Sequence, residues 1–159
     1  MSRSDLPSHT CTIARAVAQV GDEWTLLIVR EMFLGTRRFD DFLRLTGMSS
    51  HLLAQRLKKL EAEGVIRRAP YSERPPRHEY RLTEKGRDLW AAIIALKQWG
   101  DRWLGTDDTP VQITHKACGK VVRPHMTCPD CGERIEAHDA EAQLSHTFEL
   151  ERQAARRAP

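Results

Sequence analysis

At 159 residues the chain is long enough for one domain of ordinary size and a small appendage, and its 40% hydrophobic and 30% charged residues suit a globular fold rather than a fibrous or disordered one. No run approaches the roughly 18 apolar residues that a membrane span needs, and residues 1–10 lack the apolar centre of a secretion signal, so a cytoplasmic location with no membrane partner is expected. The formal charge is only +3, yet residues 49–87 hold ten Lys or Arg against five Glu, a local excess of +5 that favours a polyanion as partner.

Residues 1–10 are polar and read as a loose N-terminus. Ile13, Ala16, Val17 and Val20 recur at helical spacing and predict a short helix over 12–20, broken by Gly21-Asp22. A second, more apolar helix is predicted over 23–34, with Trp24, Leu27, Ile28 and Leu34 facing a core and Gly35 closing it. A third, over 39–45, carries Asp40 and Asp41 in its first turn, where negative charge suits the helix dipole, and turns Phe39, Phe42 and Leu43 inward.

Thr46-Gly47 then makes a tight turn into the stretch around which the chain is organised. Leu53, Leu57 and Leu60 form a narrow apolar stripe, Ser49 or Ser50 is a suitable N-cap, and Gly64 is a suitable stop. His51, Gln55 and Lys58 fall opposite the stripe, with Lys59 on its flank. A helix over 49–63, held by one face and offering donors and positive charge on the other, fits the DNA major groove when a helix and a tight turn precede it. A plain solvated surface helix is the competing interpretation.

After Gly64 the apolar period falls to two. Val65 to Ala69 reads as a strand, and His78, Tyr80 and Leu82 alternate with Arg77, Glu79 and Arg81 in a second. The stretch 70–77 between them, with Pro70, Pro75 and Pro76, is too long for a tight hairpin and too stiff for a free linker. A hairpin in this place is a wing, and Arg74 and Arg77 would set two guanidinium groups on a rigid tip suited to phosphates or a narrow minor groove. Thr83 can cap a long helix over 84–104. Its Leu89, Ile93, Leu96, Trp99 and Trp103, broadened by Trp90 and Ile94, make a stripe wider than one small winged domain needs, which predicts burial against a second copy.

Three of the four cysteines fall between 118 and 131. His115, Cys118, Cys128 and Cys131 give the spacing H-x2-C-x9-C-x2-C, with Gly119 and Gly132 directly after each pair. Four such ligands suit tetrahedral zinc in a closed structural site, and the segment is too short to bury a core of its own. His125 and His138 are alternatives to His115, and an oxidised or empty tail is the alternative to zinc. Val111 and Ile113 read as the first strand of this zinc-ribbon-like piece. Beyond it, Leu144, Phe148 and Leu150 form a weak helical stripe before Arg152, Arg156 and Arg157.

Four motifs occur in one order: Gly21-Asp22-Glu23-Trp24-Thr25-Leu26-Leu27-Ile28-Val29-Arg30-Glu31, Arg38-Phe39, the Leu53, Arg56-Leu57, Leu60 pattern, and Pro75-Pro76-Arg77-His78-Glu79-Tyr80-Arg81-Leu82-Thr83. Together they resemble the HxlR-type winged helix-turn-helix regulators of bacteria, over about residues 11–104. The resemblance implies a mainly α fold with a small β-hairpin wing. It also implies a homodimer built through the N-terminal and long C-terminal helices, binding a palindromic operator in double-stranded DNA. By that likeness Ser49, Ser50, His51, Gln55 and Lys59 are base and phosphate contacts, joined by Lys58 of the same polar face, with Arg74 and Arg77 as wing contacts. Arg56 either joins them or pairs with an acid inside the domain, because it sits nearer the apolar stripe.

The likeness leans towards repression or dual control and towards an oxidant, electrophile or small-molecule effector. Members of the family often sense through a cysteine just before the first helix, where Cys11 stands, with Arg15 one turn away. A small buried free cysteine is the plain alternative there. The expected organisation is a flexible 1–10, a winged domain over 11–106, a zinc-ribbon-like subdomain over 110–137, and a tail over 138–159. A nucleic-acid-binding subunit of general machinery, without operator specificity, is the rival in the same architecture. No enzyme is expected: no nucleophile triad or phosphate-cradling glycine loop is visible, and the H-x-E element of a zinc deaminase is missing beside the cysteines.

Overall fold

The computed structural model describes residues 5–73, 76–105 and 109–157. Arg74 and Pro75 of the expected wing tip therefore lie outside the described residues. The chain divides into two compact units, Met1–Ile93 and Ile94–Pro159.

In the first unit a 3-10 turn at Leu6–Ser8 precedes four helices, α1 (Thr12–Val20), α2 (Glu23–Phe33), α3 (Phe39–Thr46) and α4 (Ser50–Ala62). An antiparallel pair follows, β1 (Ile66–Glu73) and β2 (Pro76–Leu82), and then α5 (Glu84–Asp88) and the start of α6 (Trp90–Trp103). The core gathers Ile28 and Met32 of α2, Phe42 of α3, Leu53, Leu57 and Leu60 of α4, and Val65 and Ile66 at the root of the hairpin. The three α4 leucines are at most 1% exposed. Their burial is worth about 5 to 9 kcal/mol before the entropy of ordering them. That anchorage fixes which face of α4 is left for solvent.

Three expectations need correction. Leu34 is not a core residue: it follows the last turn of α2 and is 53% exposed, while Val29 and Met32 take the buried places. The wing is longer than predicted, because Pro70 does not end pairing. Ladder pairing runs from Ile66 opposite Leu82 to Glu73 opposite Pro76, with one irregularity between Pro70 and Ser72 where proline's missing donor is accommodated. The helix predicted over 84–104 is two helices, α5 and α6, meeting at Leu89.

The short helix before the break at Leu89 is held against the hairpin root. Thr83 donates its amide to the Val65 carbonyl at 3.0 Å and its hydroxyl to the Gly64 carbonyl at 2.6 Å, tying the start of α5 to the end of α4. Gly86 is buried so close that a Cβ there would lie 2.1 Å from the Val65 carbonyl oxygen. The helix α5 ends at a tightened turn at Leu89 (ψ −11°), whose side chain packs against the core, and α6 starts anew.

The second unit contains most of α6, the two-residue strands β3 (Ile113–Thr114) and β4 (Val121–Val122), and α7 (His146–Arg157). Ile94 is buried at 6% exposure, but no described residue from 95 to 157 is buried. Among the described residues, no helix is long and apolar enough to cross a membrane.

Candidate nucleic-acid interface

Gly47, at φ 69°, occupies the left-handed position that ends α3 and turns the chain into α4, a conformation that an L side chain would strain. Ser49 caps α4, its Oγ accepting from the Leu52 amide at 3.3 Å. With Leu53, Leu57 and Leu60 turned inward, Ser49, Ser50, His51, Gln55 and Lys58 are all exposed and share the solvent side of one helix. The face expected from sequence periodicity is thus assembled by the fold.

Two expected contact residues of that helix are engaged elsewhere. The Arg56 Nε donates to Asp22 Oδ1 at 3.0 Å, with side-chain exposures of 22% and 8%. Asp22 is also the N-cap of α2, accepting from the Thr25 amide at 3.0 Å and from the buried Thr25 hydroxyl at 2.6 Å. Burial opposes ionisation of Asp22, but the Thr25 hydrogen bonds and the Arg56 charge outweigh it and hold the carboxyl below its ordinary value. The Lys59 Nζ donates to the Ala18 carbonyl at 2.8 Å, reaching back to α1. Both side chains bind α4 to the helices beneath it, across 34 and 41 residues of sequence.

The wing is tied to the same helix. Arg68 of β1 donates from Nε and Nη2 to both carboxylate oxygens of Glu61 at 2.7 to 3.0 Å, and this bidentate pair holds the Glu61 carboxyl below its usual range. From the other side, the Tyr80 amide donates to the Arg37 carbonyl at 2.8 Å, and Phe42 meets the Tyr80 ring edge-on at a centroid distance of 6.4 Å. The Arg38 guanidinium lies over the Tyr71 ring, 4.7 Å from its centroid. Arg77, expected at the wing, is exposed on β2.

Arg67 and Arg81 stand directly opposite in the ladder, a like-charge pair that is unfavourable unless another charge relieves it. Glu79 pairs with Arg81 and does so in part. Arg37, Arg67, Arg81 and Arg87 line one cleft of about 330 Å³ with Met32, Phe33 and Leu82. Neither arginine of the ladder pair was singled out by sequence reasoning. The signal was available only once the hairpin register set 67 against 81. Chemically, the unit offers a helix face of hydroxyl, imidazole and amide groups with one lysine amine beside a basic hairpin, which suits a polyanion whose bases are accessible.

Cys11 is half-buried at the N-cap of α1, its amide bonded to His9 Nδ1 at 2.9 Å. In the second unit the expected metal ligands come together as two pairs. His115 Nδ1 lies 3.3 Å from Cys118 Sγ. The Cys128 thiol is held below its usual value by the amides of Cys131 and Asp130 and by the Cys131 side chain. Among the described residues, no three His, Cys, Asp or Glu side chains stand together as a ready metal set.

The chain matches the HxlR-like helix-turn-helix family over residues 19–108. It is 46% identical over 143 residues, 87% of this chain and 90% of the other, to Rv3095, an uncharacterized HTH-type transcriptional regulator of Mycobacterium tuberculosis. Among solved structures it is similar to PA1607, a candidate transcription factor, with a TM-score of 0.77 and 33% identity over 89% of this chain and 99% of that one. It is also similar to the redox regulator HypR in its oxidized form, with a TM-score of 0.55 and 32% identity over 58% of this chain and 96% of that one.

Proposed function

Since the chain belongs to the HxlR-like helix-turn-helix family, whose relatives here are transcriptional regulators, we propose that it binds a palindromic operator as a homodimer, with α4 in the major groove and the wing on the flanking backbone or minor groove. The observation that carries this reading is the exposed face of α4, where Ser50, His51, Gln55 and Lys58 face solvent opposite three buried leucines. Gln55 is the base reader of this set, since its amide can pair with an adenine edge, and Lys58 is a phosphate contact. Arg56 and Lys59 are left out, because Asp22 and the Ala18 carbonyl already hold them.

The homodimer is supported by apolar side chains that the chain leaves in solvent. Ile13 and Val17 of α1 are 72% and 50% exposed, and Leu96, Trp99 and Trp103 of α6 are 52%, 56% and 62% exposed. Five large side chains left exposed in this way are a liability on a monomer and ordinary in a subunit interface. The effector reading draws on the oxidized and reduced redox regulator structures to which the chain is similar, and Cys11 is the residue through which an oxidant would act.

The test is binding to the promoter region beside the chain's own gene, at physiological salt with excess nonspecific competitor, followed by footprinting. The expected result is a two-fold footprint with half-sites about one helical turn apart. Lys58→Ala should weaken binding to all sequences alike and lower the salt slope by about 0.9 per contact. Gln55→Ala should relax preference at one position, worth about 1–3 kcal/mol. Binding that competitor abolishes at every promoter tried would instead favour a general nucleic-acid-binding subunit.

A further inference from the structure

The two loops that carry the remaining cysteines share the same two framing backbone bonds. In the first, the His115 amide donates to the Lys120 carbonyl at 2.9 Å, and the Gly119 amide donates back to the His115 carbonyl at 2.8 Å. In the second, the Cys128 amide donates to the Glu133 carbonyl at 2.7 Å, and the Gly132 amide donates back to the Cys128 carbonyl at 2.9 Å. Each loop therefore uses a bond from its first ligand position to the residue five further on, and a return bond from the residue four on. Gly119 and Gly132, at φ 69° and 75°, take the left-handed place in each, where a side chain would be strained. Each turn brings the side chains at its first and fourth positions together, His115 with Cys118 and Cys128 with Cys131. Amides of the second turn point at the Cys128 sulfur, the arrangement that supports a thiolate ligand.

Little packing accounts for order in this part of the chain. Among the described residues, the loops sit on β3 paired with β4, on a bridge between Thr127 and Arg134, and on a few hydrogen bonds such as that from the Ile135 amide to the Met126 carbonyl. No residue here is buried, so hydrophobic burial cannot offset the entropy of ordering these turns. A small segment of this kind needs a disulfide or a metal. Two hairpins that each end in a paired soft-ligand turn supply a chelating half-site apiece. From this duplicated geometry we infer that His115, Cys118, Cys128 and Cys131 bind one zinc ion that joins the two loops in a tetrahedral site. With four protein ligands no coordination position is left for water or substrate, so the site is structural. The two pairs are separate among the described residues, and the metal is what draws them into one set. This inference is independent of operator binding.

The experiment uses the full chain, purified under reducing conditions without chelator. Zinc per chain is measured by elemental analysis, and cobalt(II) is then exchanged in to read its visible spectrum. The expected result is one zinc ion per chain, and a cobalt spectrum of tetrahedral form with three thiolate ligands. Three cysteines should resist alkylation until a chelator is added, while Cys11 keeps its own rate throughout. Cys118→Ser and Cys131→Ser should each lose the thiolate cobalt signature. Because the wild-type measurements stand alone, misfolding of a variant does not decide the matter. A metal-free chain whose four thiols react before chelation, or a Cys128–Cys131 disulfide in the reduced preparation, overturns the site. An unchanged cobalt spectrum in His115→Ala overturns the ligand set.

Discussion

Arg56 could serve either the DNA or the fold, and its replacement by alanine distinguishes the two. In the structure Arg56 pairs with Asp22, itself 8% exposed and bonded twice by Thr25. Breaking a fully buried pair from one side costs about 3–5 kcal/mol, while an exposed pair contributes about 0–1 kcal/mol. With Arg56 22% exposed, Arg56→Ala falls between these limits, at about 2 kcal/mol. For a first unit of this size that is a fall of about 8–16 °C in Tm. Asp22→Ala should cost more, about 3 kcal/mol, because it also removes the α2 cap and strands the buried Thr25 hydroxyl. Asp22→Asn should cost less, since asparagine caps as well as aspartate does.

The pH dependence has a definite sign. The Asp22 carboxyl is held below its ordinary 3.8, so its contribution is complete above that value and is lost as pH falls through the lower folded value. Wild type and Arg56→Ala should therefore differ fully in urea unfolding at neutral pH and converge in acid. Binding to nonspecific duplex DNA supplies the second readout. The salt slope of Arg56→Ala should equal that of wild type, whereas loss of a phosphate contact lowers it by about 0.9. An Arg56→Ala protein of wild-type stability with a reduced salt slope would refute the assignment of this arginine to the fold.

Gly86→Ala would drive a methyl group into the Val65 carbonyl, a backbone atom that cannot rotate away, and should cost about 3 kcal/mol, seen as a lowered urea midpoint. Trp99→Lys combined with Trp103→Glu should convert a dimer to a monomer in light scattering while leaving the helix signal in circular dichroism intact; persistence of the dimer places the interface on other residues. In the proposed sensor, diamide should weaken DNA binding by wild type and Cys11→Ser should remove that response; if wild type is unaffected or the loss persists in full, Cys11 is not the sensor.

Much of the winged unit was legible in the sequence because it is encoded locally. Helical spacing of Leu53, Leu57 and Leu60, a serine cap and Gly47 before it are short-range signals, and they set the exposed face of α4 correctly. The partners of Arg56 and Lys59 were not legible, because their hydrogen bonds span 34 and 41 residues and depend on how α1, α2 and α4 pack. The same holds for the division of the helix expected over 84–104, since Leu89 has no breaker beside it and its tightened turn carries no local signal. Pairing of β1 through Pro70 was not legible because proline lacks a ladder donor, whereas a two-stranded ribbon has free edges where an absent donor does little harm.

The bidentate bond between Glu61 and Arg68 makes α4 and the hairpin behave like the two arms of a locked caliper. In the proposed complex, a duplex held by both arms has to match the separation that this partly exposed bond helps to set. Stretches of DNA that compress or widen cheaply would then be preferred between the gripped points, although no side chain touches a base there. Cutting the lock with Glu61→Gln should therefore flatten sequence preference at untouched positions before it weakens the grip itself.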